Sequence, residues 1–341
     1  SLIRGQAYDG AAVISSEKAG VQAKIKEISP LAVYTHCYAH CLNLSIASTC
    51  NLQEVRNLVG LINEVYLFLH NSPKRQQMFQ LTISYHLPDS SHSKLPGLCK
   101  TRWIERHTCY EMYVVLVTFL DAIISPHEYP ELASSSGSWD WDRDTIVKAQ
   151  GMKSALSSFH TISVFIITKN ILDMVKSLAI KLQQKDQDVL EAYRMIDEVV
   201  QGIRYTRTTI DENFHFWYAD ILELADSVGA IETVPRKTAI MKNRSNTPSD
   251  SAEQHYKRTI AIPLLDNLSV QMDQRFNGED RHARGLLSLV PSIFLDSTVN
   301  PDEYINDMLK WDKDLQYPKS LGSEIRRWKG LWMNIKVSGK K

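Results

Sequence analysis

The stretch Val55-Arg56-Asn57-Leu58-Val59-Gly60-Leu61-Ile62-Asn63-Glu64-Val65-Tyr66-Leu67-Phe68-Leu69 decides the fold class. Val55, Leu58, Val59, Ile62, Val65, Tyr66 and Leu69 recur at three- and four-residue spacing, which at 3.6 residues per turn gathers them on one side of a helix. A helix with such a stripe needs neighbours with stripes of their own. They follow at Ile171, Leu172, Val175, Leu178 and Leu182, and again at Val189, Leu190, Tyr193, Ile196, Val199, Val200 and Ile203. Trp217, Ile221, Leu222 and Ala225 make another, and Ile260 to Phe276 is expected to hold one more after Pro263. The pattern predicts a mainly α protein.

Two segments ahead of this helical body read differently. Leu2 to Tyr8 and Leu31 to Cys37 are short, bounded by Gly or Pro, and are predicted strands. Loops are expected at Leu87 to Gly97, Pro126 to Trp141 and Pro235 to Ser251, where Pro, Ser, Gly and basic residues replace the apolar pattern. No internal repeat of fixed period is visible.

Bulk properties narrow the function. With 341 residues, 43% of them hydrophobic and 23% charged, the chain can build one large core or two smaller ones. Lys plus Arg and Asp plus Glu are equal at 39 each, so any basic binding surface must be local. The longest apolar stretch, Tyr113 to Ile124, is broken by Thr118 and Asp121 and is far short of a membrane span. The chain opens with Ser1, so its natural start is expected upstream. The five cysteines, Cys37, Cys41, Cys50, Cys99 and Cys109, are an odd set in a chain large enough to do without disulfides, which suits a reducing compartment.

Three constellations carry chemistry. In Gly5-Gln6-Ala7-Tyr8-Asp9-Gly10-Ala11-Ala12 a carboxylate follows a predicted strand, a position suited either to a divalent metal or simply to a turn before glycine. In His36-Cys37-Tyr38-Ala39-His40-Cys41-Leu42-Asn43-Leu44, Cys37 and His40 could be half of a zinc site, but Cys50 alone does not complete a tetrahedral set. A structural or DNA-facing role is the other reading. In Lys100-Thr101-Arg102-Trp103, followed by Glu105, Arg106 and His107, a cation beside a large ring suits phosphate contact with base stacking, while a core Trp at a helix start is the plainer alternative.

In this order the three segments resemble the central part of hAT DNA transposases and their domesticated relatives. The similarity is to the group of zinc finger MYM-type proteins and repressors of the inhibitor of the protein kinase. The resemblance also takes in Gly20-Val21-Gln22-Ala23, Pro235-Arg236-Lys237, Asn243-Arg244-Ser245-Asn246, Tyr256-Lys257-Arg258 and Ile262-Pro263-Leu264-Leu265-Asp266. It thus runs through nearly the whole chain. Lys237 to Asn243, with Thr238-Ala239-Ile240-Met241, departs from the Arg-rich stretch expected there.

The resemblance implies an RNase H-like core interrupted by a large helical domain. Strands near residues 2–8 and 31–37 would be its fourth and fifth, joined by a helix at Ala19 to Glu27. It places an incomplete RNase H-like α/β piece at residues 1–50 and the helical insertion at 51–341. Asp9 would match the second of three acids that hold two metal ions, Mg²⁺ or Mn²⁺ in an active relative. Cys37, His40, Arg102 and Trp103 would lie near bound DNA. The first acid is expected upstream of Ser1. The third, with the dimerisation region through which relatives associate, is expected downstream of Lys341. One carboxylate cannot clamp both the attacking and the leaving oxygen, so this chain is expected to lack independent catalysis and to need no cofactor of its own. The expected partner is DNA, in the nucleus and not at a membrane. The alternatives are a protein-interaction scaffold of transposase origin and a part of an active transposase.

Two basic patches are local. Lys319 to Lys341 holds Lys319, Arg326, Arg327, Lys329, Lys336, Lys340 and Lys341 against Glu324 alone, with Trp328 and Trp332 four residues apart. That mix can bind phosphates and stack bases, or it can be a helix docking its tryptophans into the core with its charges in water. Arg236, Lys237, Lys242 and Arg244 form the other, in an expected loop.

Overall fold

The computed structural model describes residues 3–9, 12–16, 18–88, 109–133, 137–184, 189–235, 251–276, 291, 295 and 309–337. Two compact units emerge, one from residues 1–42, 186–194 and 272–341, the other from 43–185 and 195–271. These divisions differ from the expected boundary at residue 50, since the first unit also takes in later segments.

In the first unit, strands β1 (Gly5–Tyr8) and β2 (Val33–His36) pair in parallel, with Gly5 opposite Val33 and Tyr8 opposite His36. Parallel strands need a crossover, and here α1 (Ala12–Ser15) and α2 (Val21–Ile28) supply it. The paired residues, 5–8 and 33–36, are fewer than those of the predicted segments, although Val33 N–H still reaches the Arg4 carbonyl at 2.9 Å. Buried Gln6 donates through Nε2 to the carbonyl of Gln22, tying strand to helix at 3.3 Å. Gly20 has a tight role at the entry to α2. A Cβ there would stand 2.6 Å from the carbonyl oxygens of Ile14 and Ser16, a distance only glycine avoids.

Helix α3 (Tyr38–Thr49) follows β2 directly, and its Tyr38 ring contacts Tyr193 and Phe276 at 5.3 and 5.8 Å. The Tyr38 and Tyr193 hydroxyls share a 2.6 Å hydrogen bond.

The second unit is built from helices. In α4 (Gln53–His70) the buried residues are Val55, Leu58, Ile62, Val65, Phe68 and Leu69, which is the predicted stripe with Phe68 added. Ser72 caps α5 (Pro73–His86) by accepting from the Arg75 N–H, with Pro73 in the first turn, where no N–H partner is needed. Helix α6 (Cys109–Ile124) packs against α5 and against α7 (Arg143–Leu156). Its longest apolar run proves to be a core helix. Phe119 is fully buried and meets Phe79 edge-on at 5.3 Å.

Helix α8 (Phe159–Leu182) packs against α4 and α7 and starts well before the predicted Ile171. From Ile162 to Thr168 every residue is buried, so no polar face marks the period and the sequence shows only the amphipathic end. In helix α9 (Val189–Thr208), Tyr193, Ile196 and Ile203 of the predicted stripe are buried. Helix α10 (Ile210–Ser227), packed on α8, buries Ile221 and Ala225 of the predicted stripe together with Phe214, Tyr218 and Leu224, while Leu222 is exposed.

The helix expected after Pro263 begins before it. Helix α11 (Ala252–Tyr256) runs through a π-turn at Lys257–Ala261 into α12 (Ile262–Phe276). Pro263 has no N–H for the carbonyl four residues back, and the π-turn widens the ladder instead, with Ile262 N–H reaching the Lys257 carbonyl.

The first unit ends with α13 (Leu321–Val337). Before it, Arg4 forms a two-pronged ion pair with Asp314, and Trp311 Nε1 donates to the Leu31 carbonyl at 3.3 Å. Residues near 311–314 therefore belong with the strand pair. No described helix is long and apolar enough to cross a membrane.

Candidate nucleic-acid interface

The two parallel strands end side by side, and the chemistry-bearing residues stand at their C-terminal ends, where open α/β sheets bind ligands. Asp9 follows the last residue of β1 and is exposed. Cys37 follows the last residue of β2, is exposed, and is a free thiol. Its N–H donates to the Tyr8 carbonyl at 2.9 Å, extending the ladder one step past His36. Its own carbonyl accepts from Cys41 N–H at 2.9 Å, which starts α3. Cys37 and His40 are three apart on that first turn, a spacing that puts side chains on one side. Cys41 and Cys50 are buried and not in disulfides, and burial pushes the Cys50 thiol up to about 12.

A row of rings leads to this end. Tyr8 stacks on Tyr34 at 6.4 Å between centroids, Tyr34 lies 6.0 Å from His36, and His36 lies 5.6 Å from His40. All four side chains are half-buried, so each keeps part of its ring in water. The Tyr34 hydroxyl also reaches the Asp9 carbonyl at 3.5 Å. Tyr8, Tyr34 and His36 fall within or beside the quoted motifs, which give none of them a role of its own. Their signal is the period of two within β2, which puts Tyr34 and His36 on one face.

The donor set does not fit a two-metal centre. Among the described residues no three His, Cys, Asp or Glu side chains come together as ligands, and Asp9 is the one carboxylate of this strand end that the family resemblance assigns to metal. What the strand end offers is one exposed carboxylate, one thiol and a half-open row of aromatic faces.

Arg102 and Trp103 lie outside the described residues, as do Arg236, Lys237, Lys242 and Arg244. Two further segments quoted for the resemblance have structural work. Tyr256 is buried, donates to the Thr233 carbonyl at 3.0 Å, and has its hydroxyl pushed up to about 12 by burial. Leu264 and Leu265 are core residues, while Asp266 pairs with Arg207 at 2.6 Å. Lys257 pairs with Asp211 and, chiefly by hydrogen bonding, holds its carboxyl below the usual range.

The chain is similar to a repressor. It is 26% identical over 336 residues to the human protein named 52 kDa repressor of the inhibitor of the protein kinase, covering 96% of this chain and 43% of that protein. Against the mouse protein of the same name it is 27% identical over 336 residues, with the same two shares. The chain thus spans less than half the length of these curated relatives. No family model matches the chain, and no solved structure does.

Proposed function

We propose that this chain is part of a regulatory protein of hAT transposase origin that binds DNA in the nucleus and does not cleave it by itself. The observation that carries this reading is the similarity to repressors along nearly the whole chain, which takes in the strand ends and the helical body alike. The parallel pair β1 and β2, with Asp9 directly after the first strand, supports its descent from an RNase H-like core. The half-open ring row beside Asp9 supports contact with bases in place of cleavage, since rings stack on any base face whereas one carboxylate cannot hold two metal ions.

A second reading, a protein-binding scaffold, is favoured by Phe216. It stands 71% exposed on α10, on a stretch that also carries exposed Glu212, Asp220 and Glu223. A titration of the 341-residue chain against fluorescent duplex and mismatch-containing DNA separates the two. Saturable binding that weakens steeply with salt is expected. No binding of either DNA at low salt would leave the scaffold reading standing and remove the DNA one.

A further inference from the structure

His160 is the second residue of α8, in the turn that Ser158 caps by accepting from the Thr161 N–H at 3.2 Å. Three features of that place oppose a charge on its ring. The first turn of a helix is the positive end of its dipole, which disfavours a cation. Nδ1 of His160 is buried and has no hydrogen-bond partner among the described residues. A protonated imidazole carries N–H on both nitrogens, so a gained proton leaves a buried donor there without an acceptor. The ring is also packed, with its centroid 5.9 Å from that of fully buried Tyr256.

Tyr256 is what the ring holds. It is the last residue of α11, and Lys257 after it opens the π-turn. Its ring also meets Phe159 at 5.7 Å, and its hydroxyl donates to the Thr233 carbonyl, so one phenol ties α11 and Thr233 to the start of α8. Beside it, the Tyr218 hydroxyl of α10 donates to the Glu232 carboxylate at 2.6 Å.

The surrounding charges are largely engaged with one another. Glu253 of α11 is paired with His215 of α10 at 3.2 Å, and His255 sets its ring edge-on to Tyr256 at 5.2 Å. Lys257 pairs with Asp211, on which Arg258 also acts, and Lys153 of α7 pairs with Asp121 of α6. Glu54 of α4 favours a proton on His160, but burial outweighs it and holds the imidazole below its ordinary value of 6.5.

We infer that His160 is a pH-sensitive latch: its neutral ring seats Tyr256 against the start of α8, and gaining a proton releases α11 with the π-turn. The inference concerns the helical unit and does not rest on DNA binding. Its sign follows from linkage. A histidine that is harder to protonate when seated than when open takes up its proton on opening, so lowering the pH favours the open state. The seat is complete above the ordinary imidazole value and weakens as pH falls below it. One pH unit lower, opening is favoured by up to about tenfold.

The test follows the 341-residue chain, carrying isotope-labelled histidine, by NMR through a pH titration, with the His160 signal identified as the one missing from His160→Gln. Its midpoint is expected below 6.5. Amide hydrogen exchange over residues 252–262, corrected for its intrinsic pH dependence, is expected to lose up to about tenfold in protection between about pH 7.5 and about pH 5.5. In His160→Gln, which keeps a neutral polar group, that loss should vanish. Glu54→Gln removes the carboxylate that favours the proton and should move the midpoint lower still. If circular dichroism shows His160→Gln melting early, the signal shifted by Glu54→Gln identifies His160, and its midpoint and the parent chain's protection decide. A midpoint at or above 6.5 would overturn the inference. A loss of protection that persists in a folded His160→Gln would overturn it too and assign the response to His255 or to the His215 and Glu253 pair.

Discussion

The backbone N–H of Cys37 donates to the carbonyl of Tyr8 at 2.9 Å, one step past the last paired residues of the two strands. That bond sets the geometry of the strand end, because Asp9 leaves β1 just as Cys37 leaves β2 and opens α3.

Asp9 is exposed, so Asp9→Ala is expected to change stability by no more than about 0.5 kcal/mol. The chain itself is expected neither to nick nor to join supercoiled plasmid with Mg²⁺ or Mn²⁺. Gel analysis over a range of protein concentrations checks this, and nicking that vanishes in Asp9→Ala alone would refute it.

Trp103 is the residue of the Arg102-Trp103 pair expected to stack on DNA. Its removal in Trp103→Ala is expected to weaken binding to mismatch-containing DNA about tenfold and to intact duplex much less, since stacking on one base is worth about 1–3 kcal/mol. If Trp103 were a core residue, truncation would instead cost about 3–5 kcal/mol of stability and harm both affinities equally. Melting curves beside the two titrations distinguish these outcomes.

Gly20 leaves no space for a side chain, with carbonyl oxygens of Ile14 and Ser16 at 2.6 Å from any Cβ. Gly20→Ala must push backbone aside, and overpacking of that kind costs about 1–3 kcal/mol. Gly60→Ala, in α4, meets nothing within 4 Å and is expected to leave stability unchanged or raised. Equal melting temperatures for the two variants would contradict this contrast.

Asp142 caps α7 by accepting from the Thr145 N–H and hydroxyl, each at 2.8 Å. These bonds, the backbone one first, hold its carboxyl below the usual range. A folded-state pKa below the unfolded value means that the contribution is present above the unfolded pKa of about 3.9 and is lost as pH falls through the folded one. The melting-temperature gap between the parent chain and Asp142→Ala should therefore be widest near neutrality and shrink below about pH 4. A gap that stays constant from pH 7 to pH 3 would rule out the linkage.

Amphipathic helices were legible in the residues. The stripe in α4 is the buried face of α4, because one side of that helix meets water and the period survives. The same logic failed for α6 and the first half of α8, which are apolar nearly all round, and it misplaced Leu222 on α10. Pro263 was read as a helix start, although a π-turn carries the helix past it. The strand-end motif was legible as a quotation of residues, but the ring row was not, since Tyr8 and Tyr34 are 26 positions apart and meet only through strand pairing.

The sequence by itself determined the mainly helical class, the two short strands and the position of Asp9 and Cys37 at their ends, because these depend on periodicity and turn residues within a few positions. Only the tertiary structure decided which partners those elements take. It joined Asp314 to Arg4 and Trp311 to Leu31, and it left Trp328 at the surface instead of the core. Burial depends on what the rest of the chain brings alongside a residue, and a local pattern holds no record of contacts made 280 or 310 residues away.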